Sequence, residues 1–183
     1  MADDCKNAIS TPRLPDFKAA ISPYLRSMVR RVRKEIDHGT HSDWQDVILP
    51  SGIPQLERTI ELDFNCIIPM PEPIKRTMRE ELSDDSPKGI ALRKRNLAQF
   101  GFEDWYGWSS KIWGTKWNSY HGRFFDNEKV FTFCTAWAPP FPVLSKLAEL
   151  LNSPLHLEYY DYEIEGRALF LPNGEMEHSK WSS

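Results

Sequence analysis

The sequence predicts an α+β domain of the ferredoxin-like, split βαβ kind, with an antiparallel sheet covered by helices on one face and elaborated by insertions. Three observations predict it. Hydrophobic periodicity switches between two and about 3.6 in the order strand, helix, strand, then strand, helix, strand and one further strand, once the longer connections are set aside. The stretch "ERTIELDFNCIIPMP" alternates Ile60, Leu62, Phe64, Cys66 and Ile68 with Glu61, Asp63 and Asn65, as a strand with one face in water would. Finally, 183 residues with 40% hydrophobic content can bury one sizeable core, so the chain reads as one domain over 1–183.

Taken in order, "CKNAIST" suits a short first strand ended by Pro12 and Pro15. In "DFKAAISPYLRSMVRRVRKEID" the residues Phe17, Ile21, Tyr24, Leu25, Met28, Val29, Val32 and Ile36 recur at three and four, predicting a helix kinked at Pro23. Arg26, Arg30, Arg33 and Lys34 lie off that stripe, on a solvated face. Residues 37–56 are rich in turn formers, and "SDWQ" has capping-box spacing for one helical turn. Together, about 13–56 reads as an elaborated basic helix and loop.

Ser86, Pro87 and Gly101 supply the N-cap, first position and stop of a helix over "SPKGIALRKRNLAQFGF". It opens a Trp-rich helical insertion at about 86–118. "KVFTFCTAW" is a strong strand with Phe131, Phe133, Thr135 and Trp137 on one face. Leu144, Leu147, Leu150 and Leu151 stripe the next helix, and "LHLEYYDYEIEGRALFLPNGEME" reads as strand, turn near "EGR", and strand.

A formal charge of −3 excludes a protein that coats nucleic acid by bulk charge, but the charge is polarised. Residues 13–34 carry seven basic and one acidic side chain, 35–85 four and twelve, 86–137 eight and four, and 138–183 three and seven. Three dispersed cysteines without CxxC spacing fit reduced thiols on strands, with neither a disulfide framework nor a zinc module. The start "MADDCKNAIS" lacks signal-peptide regions, and no apolar run reaches the roughly 20 residues that span a bilayer. The expected setting is cytoplasmic, with no membrane.

Chemistry is sparser. Four of seven tryptophans fall within 105–117, interleaved with small and polar residues. On a helix over 103–112, Trp105, Trp108 and Ile112 share one side and pack inward. Beyond it, Trp113, Lys116, Trp117, Tyr120 and His121 are the candidate binding edge, joined by Arg26, Arg30, Arg33 and Lys34 as a contact for phosphates or an acidic partner. His121 with Asp126 or Glu128 would make a base and its orienter. His38 and His41 beside Asp37 and Asp43 resemble a loop metal site by composition alone. The acidic run Glu80, Glu81, Asp84 and Asp85 would imitate nucleic-acid charge. No Walker, GxGxxG, GxSxG or HExxH motif occurs, so no catalytic residue, metal or cofactor is assigned.

The blocks "LDFNCIIPMPEPI", "FEDWYGWSSKIWGTKWNS", "FTFCTAWAPPFPVLSKLAELL" and "EIEGRALFLPNGE" together resemble the Api92-like proteins of phages and conjugative plasmids, with their YubB-type ferredoxin-like domain. The opening "DCKNAIST" resembles that family's first strand, whereas 13–56 is longer and more basic than its pattern. The resemblance implies a ferredoxin-like fold and a mobile-element origin, and no activity.

The functional expectation is therefore a non-enzymatic protein of a phage or plasmid that binds a host protein or nucleoprotein complex, as an inhibitor of a bacterial defence system of the anti-CRISPR or anti-restriction type. Two alternatives stand beside it: a small metal-assisted hydrolase or nuclease using His121, and direct binding of single-stranded nucleic acid through Trp113, Trp117 and the basic side chains.

Overall fold

The computed structural model describes residues 4–31, 33–37, 42–51, 53, 55–78, 86–161 and 164–180. Their centre is an eight-stranded antiparallel sheet. Its strands are β1 (Asp4–Ser10), β2 (Leu25–Arg31), β5 (Leu56–Leu62), β6 (Tyr120–Phe125), β7 (Val130–Ala136), β8 (Leu155–Tyr160), β9 (Glu165–Phe170) and β10 (Met176–Lys180). They run in the order β10-β9-β8-β1-β7-β6-β5-β2, and β3 (Arg33–Asp37) pairs separately with β4 (Ser42–Asp46).

This corrects the small split βαβ domain expected from the sequence. That arrangement puts the strand around residue 60 directly beside "KVFTFCTAW", but β6 lies between β5 and β7. Segments set aside as insertions are themselves strands of the sheet, so the fold is larger and richer in sheet.

Period-two alternation places Cys5, Asn7 and Ile9 of β1, Phe131, Phe133 and Thr135 of β7, Leu155, Leu157 and Tyr159 of β8, and Ala168 and Phe170 of β9 on one buried face. Against it pack α1 (Phe17–Ile21), α2 (Phe64–Ile67), α3 (Glu72–Arg76), α5 (Trp105–Ile112) and α6 (Phe141–Leu151), through Phe17, Phe64, Ile74, Trp108 and Leu144 among others. The remaining helix, α4 (Pro87–Phe100), begins as its signals predict. The Ser86 hydroxyl accepts from the Gly89 amide, and Gly101 ends it at φ 76°.

The basic helix is the largest local correction. Its helical turns stop at Ile21, a 3₁₀ turn spans Ser22–Tyr24, and the chain then extends into β2. Pro23 cannot continue the helix. Beyond it, pairing with β5 sets Arg26 opposite Glu61, so a cross-strand charge pair stands where the helical stripe was expected. Likewise "SDWQ" lies at the start of β4, where a helical turn was expected. His38, His41 and the acidic run at 80–85 lie outside the described residues.

The strand expected through Ile68 ends at Leu62. Asp63 turns the chain and caps α2, accepting from the Asn65 amide, which puts Cys66 in water rather than in the core. Glu61, expected on a free face, is 1% exposed and held by Arg26 at 2.8 Å.

Candidate functional site

The tryptophan segment divides into a packed half and an exposed half. Asp104 caps α5 through the Gly107 amide, which points Trp108 and the more open Trp105 toward the core. Trp113, expected at a binding edge, is 3% exposed. Its indole N–H donates to the Ile68 carbonyl at 3.0 Å, and its ring meets Trp108 and Phe64 edge-on at 5.4 and 5.7 Å. A buried indole needs such an acceptor, and a carbonyl left free where α2 ends provides it.

The small and polar residues between the tryptophans act as stitches. Gly114 adopts φ 80°, and a Cβ there would lie 2.9 Å from Pro142 Cδ. The Thr115 hydroxyl donates to the Ala136 carbonyl at 2.8 Å, and Ser109 Oγ donates to the Lys116 carbonyl at 2.6 Å. The Ser119 hydroxyl accepts from the Leu62 amide and donates to its carbonyl, while Asn118 Oδ1 accepts from the Phe64 amide. Residues 115–119 are thereby fastened to both β5 and β7.

From this fixed loop the Lys116 side chain reaches over three rings. Its Nζ stands 4.6 Å from the centroid of Trp117, 4.8 Å from Trp137 and 5.7 Å from Tyr106. Tyr106 and Trp137 meet at 86°, two perpendicular walls. Trp137 was expected on the same strand face as Phe131, Phe133 and Thr135. Instead β7 ends at Ala136, and Trp137 takes φ 67°, which breaks the alternation and leaves the ring 42% exposed. A bulky residue holds that backbone only where its surroundings enforce it. Here Thr135 Oγ1 bonds the Ala138 carbonyl at 2.8 Å.

The other candidate surface is the sheet face that is helix-free among the described residues. Strand register aligns Tyr160, Lys6, Cys134 and Tyr120 in one row, Arg167, Glu158, Ala8, Thr132 and Arg123 in the next, and Leu169, His156, Ser10, Val130 and Phe125 in a third. The small side chains Ala8 and Ser10 lie between longer ones. Depressions of about 640 and 510 Å³ open here, the first over His156 and Arg167, the second over Lys6, Cys134 and Tyr160.

His121 borders the second depression at a bulge in the β6–β7 pairing, exposed and at φ 55°. It makes no hydrogen bond to Asp126 or Glu128 among the described residues, and Lys18 holds Glu128, so the expected base and orienter are not assembled. Its ring contacts Tyr120, whose hydroxyl is bonded to Asp4. Arg26 is committed to Glu61, and β2 is an edge strand. The side chains of Arg30, Arg33 and Lys34 lie outside the described residues. Among those residues no group of three His, Cys, Asp or Glu side chains could hold a metal ion. No helix among them is long and apolar enough to cross a membrane.

None of the thiols is an activated nucleophile. Burial pushes the Cys5 thiol up to about 12, and desolvation also raises Cys66 and Cys134. For Cys5 the folded state therefore holds its proton more tightly than the unfolded state, so the associated stability is complete below the thiol's ordinary value of 9.0 and lost as pH rises toward about 12. Urea melts are expected to weaken from pH 9 upward by no more than about 1.4 kcal/mol per pH unit from this group. Cys5→Ala should flatten the decline, and an unchanged slope would remove Cys5 as its source.

Tyr106, Phe125, Trp137 and Tyr160 were missed as surface aromatics in the sequence. Phe125 and Tyr160 carried a signal, each ending an alternating strand on its polar phase. Trp137 carried none, because its outward turn depends on a positive φ that residue type does not announce.

Comparison with solved structures finds a crystal structure of the protein Api92 from Yersinia pseudotuberculosis, of the family model DUF1281, at a TM-score of 0.55 and 12% identity, over 100% of this chain and 99% of that one. At that identity the two share an Api92-like fold, and nothing further passes between them. No family model matches the chain, and none of the curated proteins matches it significantly.

Proposed function

We propose that this is a non-enzymatic binding protein that acts on a macromolecule of a bacterial host, with the helix-free sheet face as its docking surface and a protein as its partner. The observation that carries this reading is the face itself: broad, indented, and edged by Tyr160 and Phe125, each 53% exposed. Aromatic rings standing free of a regular sheet suit contact with another surface. Charge favours a protein over nucleic acid. Asp4, Glu158, Glu165 and Glu177 balance Lys6, Arg123 and Arg167 across the rows, which gives phosphates no net positive field. A phage or plasmid origin, and a role against a host defence system, belong to the proposal on the strength of the sequence resemblance.

The test is capture from bacterial lysate by the wild-type chain and by a Phe125→Glu, Tyr160→Glu double variant, each with and without nuclease treatment. A protein retained by the wild type under both treatments and lost by the variant is the expected result. Equal retention by both chains would remove the sheet face from the reading. Capture that vanishes after nuclease treatment would replace the protein partner by a nucleic acid.

A further inference from the structure

We propose that Tyr106, Trp117 and Trp137 form a receptor for an alkylated ammonium group, and that Lys116 is its built-in occupant. This site is separate from the sheet-face rows and does not depend on them. Three aromatic rings face one point, each within the roughly 6 Å at which a ring quadrupole attracts a cation. No carboxylate or carbonyl among the described residues accepts from the Lys116 ammonium, so the rings are its protein partners. Tyr106 is 45% and Trp137 42% exposed, which leaves the enclosure open to an entering group.

Lys116 is fastened by its backbone, through the hydroxyl of Ser109, whereas its four-carbon stem is free to leave. A primary ammonium is a compact and strongly hydrated charge, so holding it over rings sacrifices water contacts. A trimethylammonium group has no N–H donors to desolvate and presents methyl groups to the π faces. The same rings therefore suit it better than they suit Lys116, and Lys116 acts as an internal competitor that sets a threshold for entry. The chemistry is shared by a trimethylated lysine side chain and a choline-type headgroup.

The test titrates tetramethylammonium chloride, Nε-trimethyl-lysine and phosphocholine into the full chain, read by tryptophan fluorescence and by the indole N–H signals in NMR. Wild type is expected to bind weakly, and Lys116→Ala about tenfold more tightly, because the competitor is gone. Trp137→Ala should abolish binding in the Lys116→Ala background. Tyr106→Ala, at an exposed ring, serves the same purpose if the Trp137 variant does not fold. A preference for Nε-trimethyl-lysine points to a modified protein as the source, and a preference for phosphocholine points to a headgroup; either supports the site. Absence of any response in Lys116→Ala, or an equal response after ring removal, would overturn the proposal.

Discussion

Trp113→Ala is expected to lower stability by about 3–5 kcal/mol, the range for deleting a large buried aromatic. The side chain is 3% exposed, touches Trp108 and Phe64, and leaves the Ile68 carbonyl without its donor when removed. Trp117→Ala, at a partly open ring four residues on, should cost about 1 kcal/mol or less, mainly the loss of contact with Lys116. Urea denaturation of the two variants measures the contrast directly. Equal midpoints would mean that the segment is not divided into packed and exposed halves.

Gly122→Ala should have the second largest effect, about 1–3 kcal/mol, with a distinctive location. A Cβ at Gly122 would fall 2.3 Å from the Ile60 carbonyl oxygen and 2.6 Å from Phe131 Cζ, and neither backbone nor packed ring can give way cheaply. Gly122 opposite Ile60 is also the one registered pair between β5 and β6 among the described residues. The added methyl group therefore acts on the seam that joins β2 and β5 to the other six strands. Hydrogen exchange should show protection falling in β2 and β5 while β8, β9 and β10 keep theirs. Uniform loss across the sheet would show that the seam has no special role.

Legibility differed from element to element for identifiable reasons. The helix over Pro87–Phe100 was readable because its cap, its proline and its terminating glycine are local signals that act on their own neighbours. The helix expected over the basic stretch failed because spacing at three and four was its main support. Glu61, distant in sequence, offered Arg26 of β2 a cross-strand partner. The strand was right in extent as far as Leu62, although Glu61 on its polar phase is buried, and wrong beyond it, since Asp63 used its carboxylate as a cap rather than as a solvated face. At the candidate sites, inward packing of Trp108 followed from helical spacing. The roles of Trp113 and Trp137 did not, because one was decided by a carbonyl 45 residues away and the other by a single left-handed backbone angle.

By itself the sequence determined that this chain combines strands and helices, with a strong strand at 130–136, a well-capped helix at 87–100, polarised charge and none of the familiar catalytic motifs. These are properties of local patterning and composition, which short-range sterics and side-chain period express directly. Only the tertiary structure decided that β2, β5 and β6 extend one sheet, that Glu61 is buried against Arg26, and that Tyr106, Trp117 and Trp137 converge on Lys116. Each of these joins residues far apart along the chain, and such pairings are selected by the packing of the whole molecule rather than by the preferences of any one segment.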